Sequence, residues 1–128
     1  MKTIYICTDS VTGIFSAVYE AWKERRREGA SGIAIRGSVE PQLFCEYREI
    51  PENESRAEAV VRMILTNLGR DVYHHIYYAA LSRDDEKGEA ILGTLLAARK
   101  LGQPRNIMEH LGNPAVEKVF ELSRSVGR

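Results

Sequence analysis

Two cysteines, one tryptophan and four prolines in 128 residues leave little with which to build a disulfide-held or proline-rich chain. Cys7 and Cys45 fall in apolar, strand-like stretches, where a free thiol behaves as a small hydrophobe and no structural disulfide is expected. No cysteine triplet is present to hold an iron–sulfur cluster. No window approaches the apolar length that spans a bilayer. Residues 1–9 lack a long apolar run with a small-residue cleavage site, so the reading is of a cytoplasmic protein without a secretory signal. Lysine plus arginine and aspartate plus glutamate both number 18, and a net charge of zero argues against whole-surface attraction to nucleic acid. A glycine-rich phosphate cradle is also missing. The turn Thr8-Asp9-Ser10-Val11-Thr12-Gly13 offers one glycine and puts an aspartate where an anion would sit.

What is present is the composition of a folded domain, 44% hydrophobic and 28% charged. A chain of this length buries roughly two-thirds of its unfolded surface, enough for its own core. No repeat, low-complexity run or linker divides it, so residues 1–128 read as one domain.

The order of elements follows from periodicity and punctuation. Thr3 to Thr8 is apolar on both sides and reads as a central strand. Asp9 or Ser10 then caps a helix carrying Ile14, Ala17, Val18, Ala21 and Trp22 at helical spacing. Lys23, Arg25, Arg26 and Arg27 fall in its last turn before Gly29, where cations favour the helix dipole. Ala30–Val39 and Leu43–Ile50 read as a short strand and a second outer strand, the latter bracketed by Pro41 and Pro51. Ser55-Arg56-Ala57-Glu58 has the spacing of a capping box and predicts a helix start at Ser55, with Val61, Ile64, Leu65 and Leu68 buried and Gly69 as its stop. A tyrosine-rich helix, a polar turn at 82–86 and a helix running to Gly102 follow. Pro104 and Pro114 suit first-turn positions of two short C-terminal helices, the second capped by Asn113. The expected fold class is α+β: a small three-stranded sheet from the N-terminal third packed against four to six helices.

The stretch from Asp71 to Ser82 is the most informative. It holds Tyr73, Tyr77, Tyr78, His74 and His75 in under four helical turns. Helical spacing puts Tyr73, Ile76, Tyr77, Ala80 and Leu81 on one stripe, read as buried, and His74 with Tyr78 on another, read as usable. Tyrosine packs into cores routinely with its hydroxyl at the rim, and that reading is preferred for Tyr73 and Tyr77. Adjacent His74 and His75 point about a third of a turn apart and cannot grip one metal ion together, so no metal site is assigned. A cysteine–histidine nucleophile would need an exposed thiol, which the strand settings of Cys7 and Cys45 oppose.

Charge is unevenly distributed. From Arg99 onward six basic residues face three acids. That surplus at one end can steer an anionic partner, although it is also common where no such partner exists.

The sequence of segments adds a resemblance. A strand ending in Asp9-Ser10 and the helix Gly13-Ile14-Phe15-Ser16-Ala17-Val18-Tyr19-Glu20-Ala21 are followed by Pro41-Gln42-Leu43-Phe44 and the Ala57 helix, then by Tyr77-Tyr78-Ala79-Ala80-Leu81-Ser82 and Asn113-Pro114-Ala115-Val116-Glu117-Lys118-Val119. Over nearly its whole length the chain resembles the N-terminal part of a bacterial family described as probable DNA metabolism proteins, a domain of unknown function. The resemblance implies a link to a radical-SAM protein of DNA modification or repair, and to relatives fused to uracil-DNA-glycosylase-like modules. Family members continue past the point matching Arg124–Arg128, so the chain reads as a short form or a fragment.

Taken with the residues, this gives a first expectation of a non-catalytic accessory domain that docks a radical-SAM partner or contacts DNA. The binding residues would be Arg99, Lys100, Arg105 and Arg124 on a basic C-terminal face, with His74 and Tyr78. No cofactor is assigned to the chain itself. A second expectation, from a different class, is an enzyme acting on a nucleobase or nucleotide, with His74 as acid or base, Tyr78 positioning the substrate, and Asp71 or Glu109 supplying a carboxylate. A third is a structural dimerisation module, which would present a large apolar surface.

Overall fold

In a computed structural model the chain is described for residues 1–24 and 29–126. Three strands form one sheet, β1 (Lys2–Cys7), β2 (Ser31–Ile35) and β3 (Cys45–Glu49), in the order β2-β1-β3, with both pairings parallel. Five α-helices accompany it: α1 (Val11–Glu24), α2 (Glu54–Asn67), α3 (Arg70–Leu81), α4 (Lys87–Lys100) and α5 (Pro114–Val126). The α+β class and the central position of β1 are thus as the hydrophobic pattern predicts. The Arg25–Arg27 part of the basic cluster lies outside the described residues.

The side-chain alternation of β1 explains how the sheet is dressed. Thr3, Tyr5 and Cys7 are fully buried on the side where Arg48, the β3 partner of Tyr5, reaches Glu24 of α1 at 2.6 Å. This is the face beneath α1. On the other face lie Lys2, Ile4 and Ile6, with Tyr47 and Ala34 paired alongside. Among the described residues, that side is lined by the 36–44 loop and by the starts of α4 and α5. The connection from β2 to β3 must return from one end of the sheet to the other within residues 36–44, and it is held there by Tyr47, whose hydroxyl accepts from the Gln42 amide at 2.7 Å. Phe44 ends this loop at φ 63° with its ring almost wholly exposed.

Local capping chemistry corrects several boundaries. The cap of α2 lies two residues earlier than the capping box at Ser55 predicts, because Asn53 takes it and its Oδ1 accepts from the Arg56 amide at 3.0 Å. An asparagine is as good a cap as a serine and sits where the chain leaves Pro51. Ser10, rather than Asp9, caps α1, accepting from the Gly13 amide at 2.9 Å. Gly69, at φ 94° and ψ 173°, joins α2 to α3 in a positive-φ extended conformation that is essentially open to glycine alone. Pro104 does not open an α-helix; residues Ile107–Glu109 make a single 3-10 turn. Asn113 does cap α5, its Oδ1 accepting from Ala115 and Val116.

One continuous core runs from Tyr5 and Phe15 through Ile64, Ile76 and Leu95 to Val119. Two polar contacts fasten α4 to β2 and to the turn after β1. The Glu89 carboxylate accepts from the Ile33 amide at 2.9 Å, satisfying an outward-facing donor on β2 that an edge strand otherwise leaves to water or to another chain. Lys87 is 2% exposed, and its Nζ donates to the Ser82 carbonyl at 2.7 Å and to Asp9 at 2.5 Å.

The two members of the Lys87–Asp9 pair are not equivalent, since the Asp9 side chain is 63% exposed and that of Lys87 only 3%. Removing Asp9 strands an ammonium in the interior, whereas removing Lys87 returns a carboxylate to water. Asp9→Ala should therefore cost about 2–3 kcal/mol and Lys87→Met about 1 kcal/mol or less in urea unfolding; the reverse order would contradict this account.

The Glu52 carboxylate accepts from the hydroxyls of Ser10 and, at 2.7 Å, of Thr8. Those bonds hold its pKa below the ordinary value of 4.5. A depressed folded-state pKa adds stability above the unfolded value and loses it as pH falls through the folded one. Glu52→Gln should accordingly flatten the decline in melting temperature on acidification below pH 4.5, relative to the parent.

Candidate binding face on the third helix

Helix α3 is turned relative to the stripe its sequence suggests. Val72, Ile76, Ala79 and Ala80 are buried, Tyr73 and Tyr77 are half-buried, and Leu81 is 45% exposed. The small Ala79 and Ala80 allow close packing on neighbouring helices, so the bulky rings rotate outward. An apolarity count at helical spacing weighs tyrosine as core and alanine as neutral, and so places the buried stripe about one residue off.

The rotation puts four rings together on the surface. Tyr73 and Tyr77 have centroids 5.9 Å apart, Tyr77 and Tyr78 5.9 Å, His74 and Tyr78 6.4 Å, and Tyr73 and His74 6.4 Å. These separations lie in the range where aromatic rings attract, and they close a quadrilateral. His74 and Tyr78 are its most exposed members, with Tyr78 at 40%. Burial, and secondarily the neighbouring Tyr77, raises the pKa of Tyr73, which keeps its hydroxyl protonated.

The two adjacent histidines have separate fates. His75 turns toward α5, where its Nδ1 lies 2.9 Å from the Ser123 hydroxyl and its ring stacks on Phe120 at 5.8 Å. It is a packing group. His74 faces outward with tyrosines as its ring neighbours. Among the described residues no group of three histidine, cysteine or acidic side chains is placed to hold a metal ion.

The basic residues picked from the sequence are distributed over different supports. Arg99 is half-buried and lies over Trp22, its Cζ 4.4 Å from the ring centroid. Arg105 is exposed, donates to the Thr66 carbonyl at 3.3 Å and sits where a Cβ on Gly69 would be. Arg124 lies over Phe120 at 5.5 Å, and Lys100 is exposed at the end of α4. Because Lys118 of α5 pairs with Asp84 just past α3, and Ser123 of α5 with His75, the two helices run antiparallel. Arg105 and Arg124 therefore belong to the end of the molecule where α3 begins, near Arg70, while Arg99 is committed to α1.

Two of the grooves on the described surface bear on the site. The larger, about 750 Å3, lies over the sheet face that carries Ile4 and Tyr47; the smaller, about 320 Å3, runs between α1 and α2 past Tyr19 and Met63. Neither is lined by His74, Tyr78, Asp71 or Glu109. The concave site that an acid–base role for His74 requires is not formed there. Cys7 is sealed in the core, and burial pushes its thiol up to about 11, which removes it as a nucleophile.

No family model matches the chain, and neither the curated proteins nor the solved structures yielded a match. Among the described residues no helix is long and apolar enough to cross a membrane.

Exposure separates surface rings from packing rings in their effect on stability. His74→Ala and Tyr78→Ala should each change unfolding free energy by no more than about 0.5 kcal/mol. His75→Ala, which removes the bond between its ring and the Ser123 hydroxyl and leaves Phe120 without its stack, should cost about 1–2 kcal/mol. Thermal and urea denaturation of the three variants would check the contrast.

Proposed function

We propose that this chain is a non-catalytic accessory domain of DNA repair or modification that contacts unpaired DNA through α3. The observation that carries the proposal is the quadrilateral of Tyr73, His74, Tyr77 and Tyr78 on the surface of one helix. Flat ring faces accept unstacked bases of any sequence, and each stacked base is worth about 1–3 kcal/mol. Cations supply the phosphate contacts that position a strand, and Arg70, Arg105 and Arg124 stand toward the end of α3 where a backbone leaving the rings would run. Zero net charge suits a local contact of this kind better than a general affinity for duplex. The partnership with a radical-SAM enzyme, which the family resemblance implies, belongs to the same proposal: bond-making on DNA would fall to the partner, and this domain would hold an exposed strand.

Titration of labelled oligothymidylate and of a duplex, each at low and moderate salt, tests the reading. Single-stranded binding should be saturable, salt-sensitive and stronger than duplex binding. Tyr78→Ala should weaken it by about 1–3 kcal/mol while Tyr78→Phe retains it, and Arg105→Ala or Arg124→Ala should each flatten the salt slope by about one unit. Absence of salt-sensitive binding, together with failure to recover a radical-SAM protein in a pull-down, would leave the proposal without support.

A further inference from the structure

The groove over the sheet is a different surface from α3, and no residue of that helix lines it. Its origin lies in the topology. Parallel sheets are found almost only with both faces covered, yet here α1 packs on one face, and among the described residues the groove over the other is lined by the 36–44 loop and by the first turns of α4 and α5. Ile4, Ala34 and Tyr47 make an apolar floor left open between those walls.

The walls are acidic. Glu40 stands on the loop and Asp85, Glu86 and Glu89 at the start of α4, against Lys2 on the floor and Lys118 on α5. Lys118 already pairs with Asp84 at 3.0 Å and lies 3.9 Å from Glu86, and Glu89 is taken by the Ile33 amide. Glu40 and Asp85 thus line the groove as exposed carboxylates beside its apolar strip. A volume of about 750 Å3 is in the range of ligand-binding clefts.

We infer that this groove docks an extended basic segment of a partner protein, with its apolar side chains on Ile4, Ala34 and Tyr47 and its arginine or lysine heads on Glu40 and Asp85. Charge complementarity chooses the occupant. An acidic or nucleic-acid ligand would meet like charge on both walls, which costs binding and blocks wrong partners. A second copy of the chain would have to bring a basic extended strand, and β3, its free-edge strand, carries two glutamates to one arginine.

The inference is independent of DNA binding by α3, and its experiment reads separately. A labelled peptide of alternating arginine and valine, a matched peptide of alternating glutamate and valine, and spermidine are titrated into the full chain, with amide chemical shifts followed by NMR. The basic peptide should bind saturably, shift the amides of Ala34, Tyr47 and Ala115, and leave those of α3 unmoved. Glu40→Gln combined with Asp85→Asn, both exposed positions, should weaken it about tenfold, equivalent to about 1.4 kcal/mol, with an unchanged melting temperature. Ala34→Phe, which fills the floor without altering charge, should weaken the peptide but not a purely electrostatic ligand. Equal binding of the acidic peptide, shifts lying outside the groove, or spermidine competing as tightly as the peptide would each overturn the inference, as would no binding of the basic peptide at low salt.

Discussion

The buried ammonium of Lys87 is the contact on which the arrangement of the two halves depends. Desolvating a lysine costs several kcal/mol unless its protons are satisfied, so its location is dictated by its acceptors: the carbonyl that ends α3 and the carboxylate that follows β1. That requirement ties the α3–α4 turn to the point where β1 passes into α1. Glu89, two residues further along, then falls against β2, and Gly88 between them lets α4 approach so closely that a Cβ there would lie 2.5 Å from the Ile33 side chain. Three consecutive residues thereby fix how the helical cluster sits on the sheet, by a charge, a missing side chain and a hydrogen bond.

Helix and strand identities were legible in the chain because they rest on local regularities. The strand at 2–7 alternates buried partners on two faces, α1 repeats apolar residues every three to four positions, and Asn113-Pro114 announces α5. What escaped was set by contacts distant in sequence. Lys87 looks like any lysine at a helix start until Asp9, 78 positions away, is placed beside it. The rotation of α3 depends on how tightly Ala79 and Ala80 can be packed, and that is a property of the neighbouring helices. Asn53 displaced Ser55 as cap because two good cap residues stand two positions apart there and the path of the chain after Pro51 chooses between them. The 3-10 turn at Ile107–Glu109 replaces a helix too short to repay its nucleation.

The candidate site was half visible for the same reason. Concentrating three tyrosines and two histidines in α3 is a sequence fact, and the exposure of His74 and Tyr78 follows their spacing. Whether Tyr73 and Tyr77 join them is a question of packing. The cations from Arg99 onward form one group in composition but divide in space: Arg99 lies on an indole of α1, while Arg105 at the α2–α3 junction and Arg124 over a phenyl ring share the end where α3 begins. The acid-walled groove had no linear signal at all, since its sides come from a loop and from two helix starts far apart in the chain.

The two cysteines acquire a practical meaning from where they fall. Cys7 is enclosed and its thiol is held protonated by burial, while Cys45 is half-buried at the start of β3 with its Sγ 3.7 Å from Gln42. Thiolate-selective chemistry is therefore directed to one position in the folded chain, beside the residue that anchors the long return loop. A maleimide dye introduced without mutagenesis would sit at the margin of the uncovered sheet face and report, by its colour or its anisotropy, on whatever comes to rest there.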